Sequence, residues 1–231
     1  MNGKTAICKI LILLGLFIFG CSTPEVKVIP KYVESVNQEL IDLDPFEDEV
    51  CIPPTIDTIK EAKVDEVKEL WNIFFAQGNA PLNDLRRKSF KTHAECVVEA
   101  VEYYQRYETD IGGSLPDDNL AHLVMGTIIA LESSVDSTII SKSKLREIGL
   151  TQLHGTALAG FSREEVHSDP KLQIVLGTRW LAYQNEVCHS KDWVKLLSSY
   201  GAGKRNPTCR KLSFAKYRYH EVKAYEREIR K

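Results

Sequence analysis

The feature that most restricts the fold is a nearly continuous apolar segment, residues 120–131. Asp117-Asp118-Asn119 precede it, and such residues are typical of a helix N-cap. A helix that is apolar on every side has to be buried on every side. The sequence therefore predicts a buried central helix at this point of the chain.

The rest of the chain after residue 56 also reads as helical. Residues 58–76 and 82–108 carry apolar side chains at spacings of three and four, the mark of an amphipathic helix. Further helices are expected near 151–159, from Asp169-Pro170 to about residue 186, and over 191–199 and 213–229. No segment shows sustained strand alternation. The predicted fold class is all-α, or mainly α with a small β-hairpin within residues 133–147.

The N-terminus predicts export. Lys4 and Lys9 precede residues 10–19, an apolar run that is too short to cross a bilayer but long enough for a secretory signal. Ile18-Phe19-Gly20-Cys21 resembles the bacterial lipobox, whose cysteine is acylated. Ser22, directly after that cysteine, resembles the signal that sorts a lipoprotein to the outer membrane. We therefore expect a lipoprotein anchored at Cys21, in the outer membrane and facing the periplasm. The alternative is an ordinary signal peptide followed by an incidental cysteine.

A tether is expected after the anchor, because five prolines and a cluster of acidic residues favour an extended chain. The predicted organisation has four parts. They are a signal peptide at 1–20, a tether at 21–55, a helical segment packed on the core at 56–114 and the main domain at 115–231.

The charge balance argues against nucleic-acid binding, and the cysteines favour disulfides over a metal site. Removing Lys4 and Lys9 with the signal leaves 28 of the 30 basic side chains against 32 acidic ones, without the clustered basic face of a nucleic-acid-binding protein. Four further cysteines predict two disulfides in an oxidising compartment, and of the three pairings we favour those that staple neighbouring segments. These are Cys51–Cys96 and Cys188–Cys209. A metal site is disfavoured because no CxxC or close Cys/His spacing occurs.

Glu132 is the residue that does not fit its surroundings. It follows the apolar residues 124–131, where burial would disfavour the charged form and raise the pKa of a carboxyl group. A Glu that stays protonated near neutral pH can give a proton to a glycosidic oxygen. On composition alone, a helix-end Glu pointing to solvent is the better interpretation.

Motifs around and after Glu132 favour the catalytic interpretation instead. Their residues, and the order in which they follow one another, resemble the motifs of the soluble lytic transglycosylase family. They run from about residue 115 to 225. The matching residues are Glu132-Ser133, Asp136 and Ser141, Gly149-Leu150-Thr151-Gln152, Thr156-Ala157, Asp169-Pro170, Gly177-x-x-Trp180-Leu181, Tyr200-Gly201-Ala202-Gly203 and Glu221-Val222-Lys223-Ala224-Tyr225.

The resemblance implies a lysozyme-like helical domain with a glycan groove and no metal or organic cofactor. It implies cleavage of peptidoglycan between N-acetylmuramic acid and N-acetylglucosamine, with Glu132 as the single acid/base and a 1,6-anhydro product. By the same resemblance, Ser141 and Gln152 bind sugar groups, Tyr200 orients Glu132 through its hydroxyl, and Glu221 is a second acidic residue of the groove.

The sequence also departs from the family pattern. Gly201 stands where Asn is usual, Arg146-Glu147 where Gly-Ala is usual, and the interval from Glu132 to Gln152 is two residues longer. These departures motivate an alternative function: a catalytically weak lysozyme-like lipoprotein that binds peptidoglycan or scaffolds an envelope assembly. A hydrolytic relative of goose-type lysozyme would release reducing-end products instead.

Overall fold

The computed structural model describes residues 58–202 and 209–231, and these residues contain no β-strand. The predicted all-α class is confirmed for this part of the chain. The predicted signal peptide, the tether, Cys21 and Cys51 lie outside it. The helices are α1 (Thr58–Ala76), α2 (Asp84–Arg106), α3 (Ala121–Ser133), α4 (Arg163–Ser168), α5 (Pro170–Cys188), α6 (Trp193–Ala202) and α7 (Ser213–Ile229), with a 3-10 helix at Gly155–Leu158.

Helix α3 is the predicted central helix, and every side chain from Ala121 to Ala130 is buried. Helices α1, α2 and α7 pack against it. The indole of Trp71 in α1 donates to the backbone oxygen of Gly126 at 3.0 Å, so a buried polar group is satisfied where the two helices meet. Burial on all sides agrees with a segment in which only His122 and Thr127 are polar before the last turn.

The expectation of a helix near 151–159 is wrong. Gly149, Gln152 and Gly155 have φ values of 71°, 49° and 57°, and left-handed backbone interrupts a right-handed helix. The region instead forms a turn followed by the 3-10 helix. The expected hairpin at 133–147 is reduced, among the described residues, to two isolated antiparallel bridges, Ile140 with Ile148 and Ile148 with Leu153.

Two helices in the second half begin with strong local signals. Helix α4, which the sequence analysis did not predict, starts at a capping box formed by Ser162 and Glu165. Helix α5 starts as predicted at Asp169-Pro170, and the Asp169 carboxylate accepts from the backbone amides of Lys171 and Leu172 at 2.9 and 3.1 Å.

A disulfide joins the end of α5 to the segment before α7. Cys188 and Cys209 are bonded, with their Cα atoms 5.3 Å apart, which confirms the favoured pairing. Cys96 is also disulfide-bonded, but its predicted partner Cys51 lies outside the described residues, so that pairing stays a prediction. Among the helices described, none has the length and apolar character that a bilayer crossing requires.

A buried histidine in α2 predicts acid sensitivity. The side chain of His93 is 5% exposed, and burial lowers its pKa from 6.5 to about 4. Between pH 6.5 and pH 4 the unfolded chain binds more protons than the folded chain, because His93 is protonated in the unfolded chain and neutral in the folded one. The free energy of unfolding is therefore unaffected by His93 above pH 6.5 and decreases as the pH falls below it. From pH 7 to pH 5, His93 should lower the free energy of unfolding by about 2 kcal/mol.

Urea unfolding at both pH values checks this prediction. In His93→Leu the free energy of unfolding should depend less on pH than in the wild type. His220→Leu, on the exposed side of α7, should retain the wild-type dependence. An equal pH dependence in His93→Leu and the wild type would contradict the assignment.

Candidate active site

Glu132 lies in the last turn of α3, where the helix leaves the core. Its side chain is 21% exposed, while the preceding turns are buried. The next residue, Ser133, donates its hydroxyl to the Ile129 oxygen at 2.9 Å. Ser134 and Val135 then take left-handed conformations, which end the helix within three residues after Glu132. The central helix therefore delivers one acidic side chain from the core to the edge of the domain.

A guanidinium contacts that carboxylate. Nη2 of Arg218, in α7, lies 2.6 Å from Oε1 of Glu132. The apolar surroundings of Glu132 in the sequence predict a buried carboxyl group, and Arg218 was not predicted as its partner. The contact is an ion pair between two partly buried side chains.

Tyr200 of α6 is the second predicted residue near Glu132. Burial raises its pKa, and the nearby Glu132 carboxylate acts in the same direction, whereas Arg218 lowers it. The Tyr200 hydroxyl, however, donates to the backbone oxygen of Thr151 at 2.9 Å. Since a hydroxyl has one proton to donate, Tyr200 does not orient Glu132 through that proton as expected.

Gln152 lies in a turn whose shape depends on a buried amide from α5. The Gln173 side chain accepts from the Leu150 amide at 2.8 Å and donates to the Val166 oxygen at 2.9 Å. Gly149 leaves room for this amide, because a Cβ there would lie 2.2 Å from it. Within the turn, the Gln152 amide donates to the Gly149 oxygen at 2.8 Å. Gln152 is half-buried, next to the residue that Tyr200 contacts.

Ser141 is engaged within its own loop. Its hydroxyl contacts the Glu147 carboxylate and lies 2.9 Å from the Ser143 hydroxyl. Burial of Glu147 acts to raise its pKa, but donation from Ser141 and Ser143 outweighs it and holds the pKa of Glu147 below its ordinary value. Glu147, one of the residues that depart from the family pattern, therefore binds the Ser141 hydroxyl that was expected to bind a sugar.

Asp136 anchors the start of this loop to α2. Its carboxylate contacts Nη2 of Arg86 at 2.8 Å and accepts from the Thr138 hydroxyl at 2.7 Å. Burial acts to raise the pKa of Asp136, but these bonds keep it below its ordinary value. The loop is thus fixed at both ends, by Arg86 and by Gln173.

Glu221 lies in α7, three residues after Arg218, and is half-buried. Burial raises the pKa of Tyr225, and the neighbouring Glu221 carboxylate raises it further. The structure therefore brings Glu132, Tyr200 and Arg218 together, and puts Glu221 on the next turn of the helix that carries Arg218.

The main residues that sequence reasoning missed are Arg218 and Phe214. The Arg218 guanidinium lies over the Phe214 ring, 5.6 Å from its centroid. A Cβ at position 201 would lie 2.7 Å from that ring and 3.7 Å from Nη1 of Arg218. The signal available in the sequence was Gly201 itself, because a missing side chain at a motif position leaves space for another group.

Within the described ranges, no group of three or more His, Cys, Asp or Glu side chains could hold a metal ion. The arrangement at Glu132 offers instead one carboxylate, a guanidinium and a buried phenol. Such a set can transfer a proton at one carboxylate oxygen while the other oxygen is held in place.

Comparisons with known proteins identify the domain. Residues 117–219 match a family model described as the transglycosylase SLT domain. No curated protein and no solved structure matches the chain. At the level of the family, this domain implies a lysozyme-like helical fold and cleavage of peptidoglycan. Residues 117–219, which include Glu132, Tyr200 and Arg218, thus match the transglycosylase SLT domain.

Proposed function

We propose that this domain is a peptidoglycan lytic transglycosylase. It cleaves the β-1,4 bond between N-acetylmuramic acid and N-acetylglucosamine and forms a 1,6-anhydro ring on the muramic acid, with Glu132 as the single acid/base. The observation that carries the proposal is the position of Glu132: it is the acidic residue that the central helix of the family domain brings to the surface.

One carboxyl group is sufficient for this reaction. Protonated Glu132 gives its proton to the glycosidic oxygen as the bond from that oxygen to C1 of the muramic acid breaks. The C6 hydroxyl oxygen of the same sugar then bonds to C1, and its proton returns to the Glu132 carboxylate. No water is consumed. Hydrolysis by two carboxylates needs a second group to act as nucleophile or base, but here the substrate holds its own nucleophile, with a large gain in effective concentration.

Exposed aromatic side chains on α7 suit a sugar polymer. Tyr217 and Phe214 are exposed aromatic residues on the helix that carries Arg218 and Glu221. Tyr is enriched at interfaces because its ring is apolar and its hydroxyl is polar, and a sugar ring also presents apolar and polar groups. We include Ser141, Gln152 and Glu221 in the proposed glycan groove, with Ser141 available once it leaves Glu147.

We also propose that the chain is exported and anchored by lipid at Cys21, in the outer membrane and facing the periplasm. The support is the lipobox-like sequence and the proline-rich segment after it, which would let the domain reach glycan strands beyond the membrane surface.

The product identifies the reaction. Purified peptidoglycan incubated with the chain should release 1,6-anhydromuropeptides, to be measured by liquid chromatography and mass spectrometry of the soluble fraction. Reducing-end muropeptides would instead show that water attacks C1, and would replace the proposal with hydrolysis.

A second function is favoured by one observation. Arg218 and Glu132 form an ion pair, and a carboxylate held in such a pair has no proton to donate. A domain in which this pair never opens to a protonated acid would bind glycan without cutting it. Wild type and Glu132→Gln that sediment equally with sacculi, and release no product, would establish this binding function.

A further inference from the structure

Arg218, Phe214 and Gly201 form one unit beside Glu132. Gly201 lies in α6, and Phe214 and Arg218 lie one turn apart in α7. The Phe214 ring fills the space that a side chain at 201 would need, and it supports the guanidinium. Since Phe214 is 36% exposed, its ring could rotate away without unfolding the domain. The position of Arg218 therefore depends on the absence of a side chain at Gly201.

The contact between Arg218 and Glu132 involves one oxygen of the carboxylate, Oε1. Nη2 of Arg218 lies 2.6 Å from Oε1, which makes the two side chains an ion pair. An oxygen that accepts from Arg218 can do so whether Glu132 is charged or neutral, provided that the proton of the neutral form is on Oε2. The guanidinium always carries its charge and has no acceptor, so it cannot take part in the proton transfer itself.

We propose that Arg218 is a positioning residue for the reaction proposed above: lodged in the space that Gly201 leaves open, it holds Oε1 of Glu132 and so makes Oε2 the oxygen that transfers the proton. The inference rests on the proposed function. It assigns to Arg218 the orienting role that the family resemblance gave to the Tyr200 hydroxyl, whose proton is donated to Thr151.

Steady-state kinetics on soluble glycan oligomers of fixed length test the role. A group that acts only in the transition state lowers kcat and kcat/KM together. Arg218→Ala should therefore lower kcat by about 10- to 100-fold and change KM by less than about threefold. Arg218→Lys should recover part of the loss, because its ammonium also donates to Oε1. Arg227→Ala, which removes an exposed arginine of the same helix, should equal the wild type.

Other outcomes would overturn the proposal. A raised KM with unchanged kcat would make Arg218 a substrate-binding residue only. A higher kcat in Arg218→Ala would make the ion pair an inhibitory contact. If Arg218→Lys were no better than Arg218→Ala while both remained folded, a donor at this position would not be what matters.

Gly201→Ala tests the unit as a whole. Its Cβ should displace the Phe214 ring and with it Arg218, so kcat should fall as in Arg218→Ala. The double variant should be no slower than Arg218→Ala alone, because both changes remove the same contact. Losses that multiply would show that Gly201 and Arg218 act independently, contrary to the proposal.

A measurement that needs no activity separates this inference from the proposed function. Arg218→Met should lower the midpoint of thermal unfolding in the wild type and should lower it less in Glu132→Gln, where no charge pair is lost. Equal shifts in both backgrounds would overturn the assignment of Arg218 even in an active enzyme. If the shifts in unfolding midpoint are unequal but the wild type releases no anhydro product, the pairing of Arg218 with Glu132 stands and the transglycosylase function is rejected.

Discussion

Glu132→Gln should abolish the release of 1,6-anhydromuropeptides from purified peptidoglycan, with a rate loss of at least about 100-fold, since a positioned general acid contributes roughly 10²- to 10⁴-fold. An amide has no proton that it can give to a glycosidic oxygen and cannot accept one from the C6 hydroxyl. It keeps the shape of the side chain, and its carbonyl oxygen can still accept from Arg218. The loss should therefore be chemical rather than structural.

Two measurements secure that conclusion. Product release should be followed by mass spectrometry, and thermal unfolding should show that the variant is folded. Glu164→Gln, an equivalent change at an exposed residue of α4 in the same domain, should retain wild-type activity. If Glu132→Gln keeps more than about a tenth of the wild-type rate, Glu132 is not the sole acid/base.

Gly149→Ala should cost about 4 kcal/mol in the free energy of unfolding, measured with urea. The new Cβ would lie 2.2 Å from the Gln173 amide, which is fully buried and bonded to several backbone groups. Moving that amide strands buried donors and acceptors, at about 1–3 kcal/mol each. A side chain at a φ of 71° adds strain of about 1 kcal/mol.

Gly78→Ala separates the clash from the strain. Gly78 has a similar φ of 74°, but a Cβ there would meet nothing within 4 Å. This variant should lose only about 1 kcal/mol. Equal losses in the two variants would show that backbone strain, rather than displacement of Gln173, determines the effect.

Much of the fold could be predicted because helix burial follows from the pattern of side chains. The expected bounds 58–76 and 213–229 agree with α1 and α7, and the apolar 120–131 segment agrees with α3. The segment from 134 to 159 could not be predicted in this way. Its backbone is set by a buried amide more than 20 residues further along the chain, at Gln173, and by left-handed residues that periodicity does not reveal.

The candidate site also has residues that the sequence could predict and residues that it could not. Glu132 could be found because a carboxylate next to an apolar helix contradicts its surroundings, and the motif order then supported it. Arg218 could not be found, because a basic residue on an amphipathic helix is ordinary until the fold brings it against a particular partner. Tyr200 was expected to orient Glu132, yet its hydroxyl donates to the backbone oxygen of Thr151, a contact that side-chain motifs do not encode.

The disulfide between Cys188 and Cys209 has a consequence for how this protein is prepared. Cysteine pairs close where thiols can be oxidised and stay open in a reducing cytoplasm. Cys209 lies four residues before α7, so material purified from such a cytoplasm would hold Phe214 and Arg218 by packing alone. Batches with different free-thiol contents would then differ in specific activity without any difference in sequence. A thiol assay therefore belongs beside every rate measured on this protein.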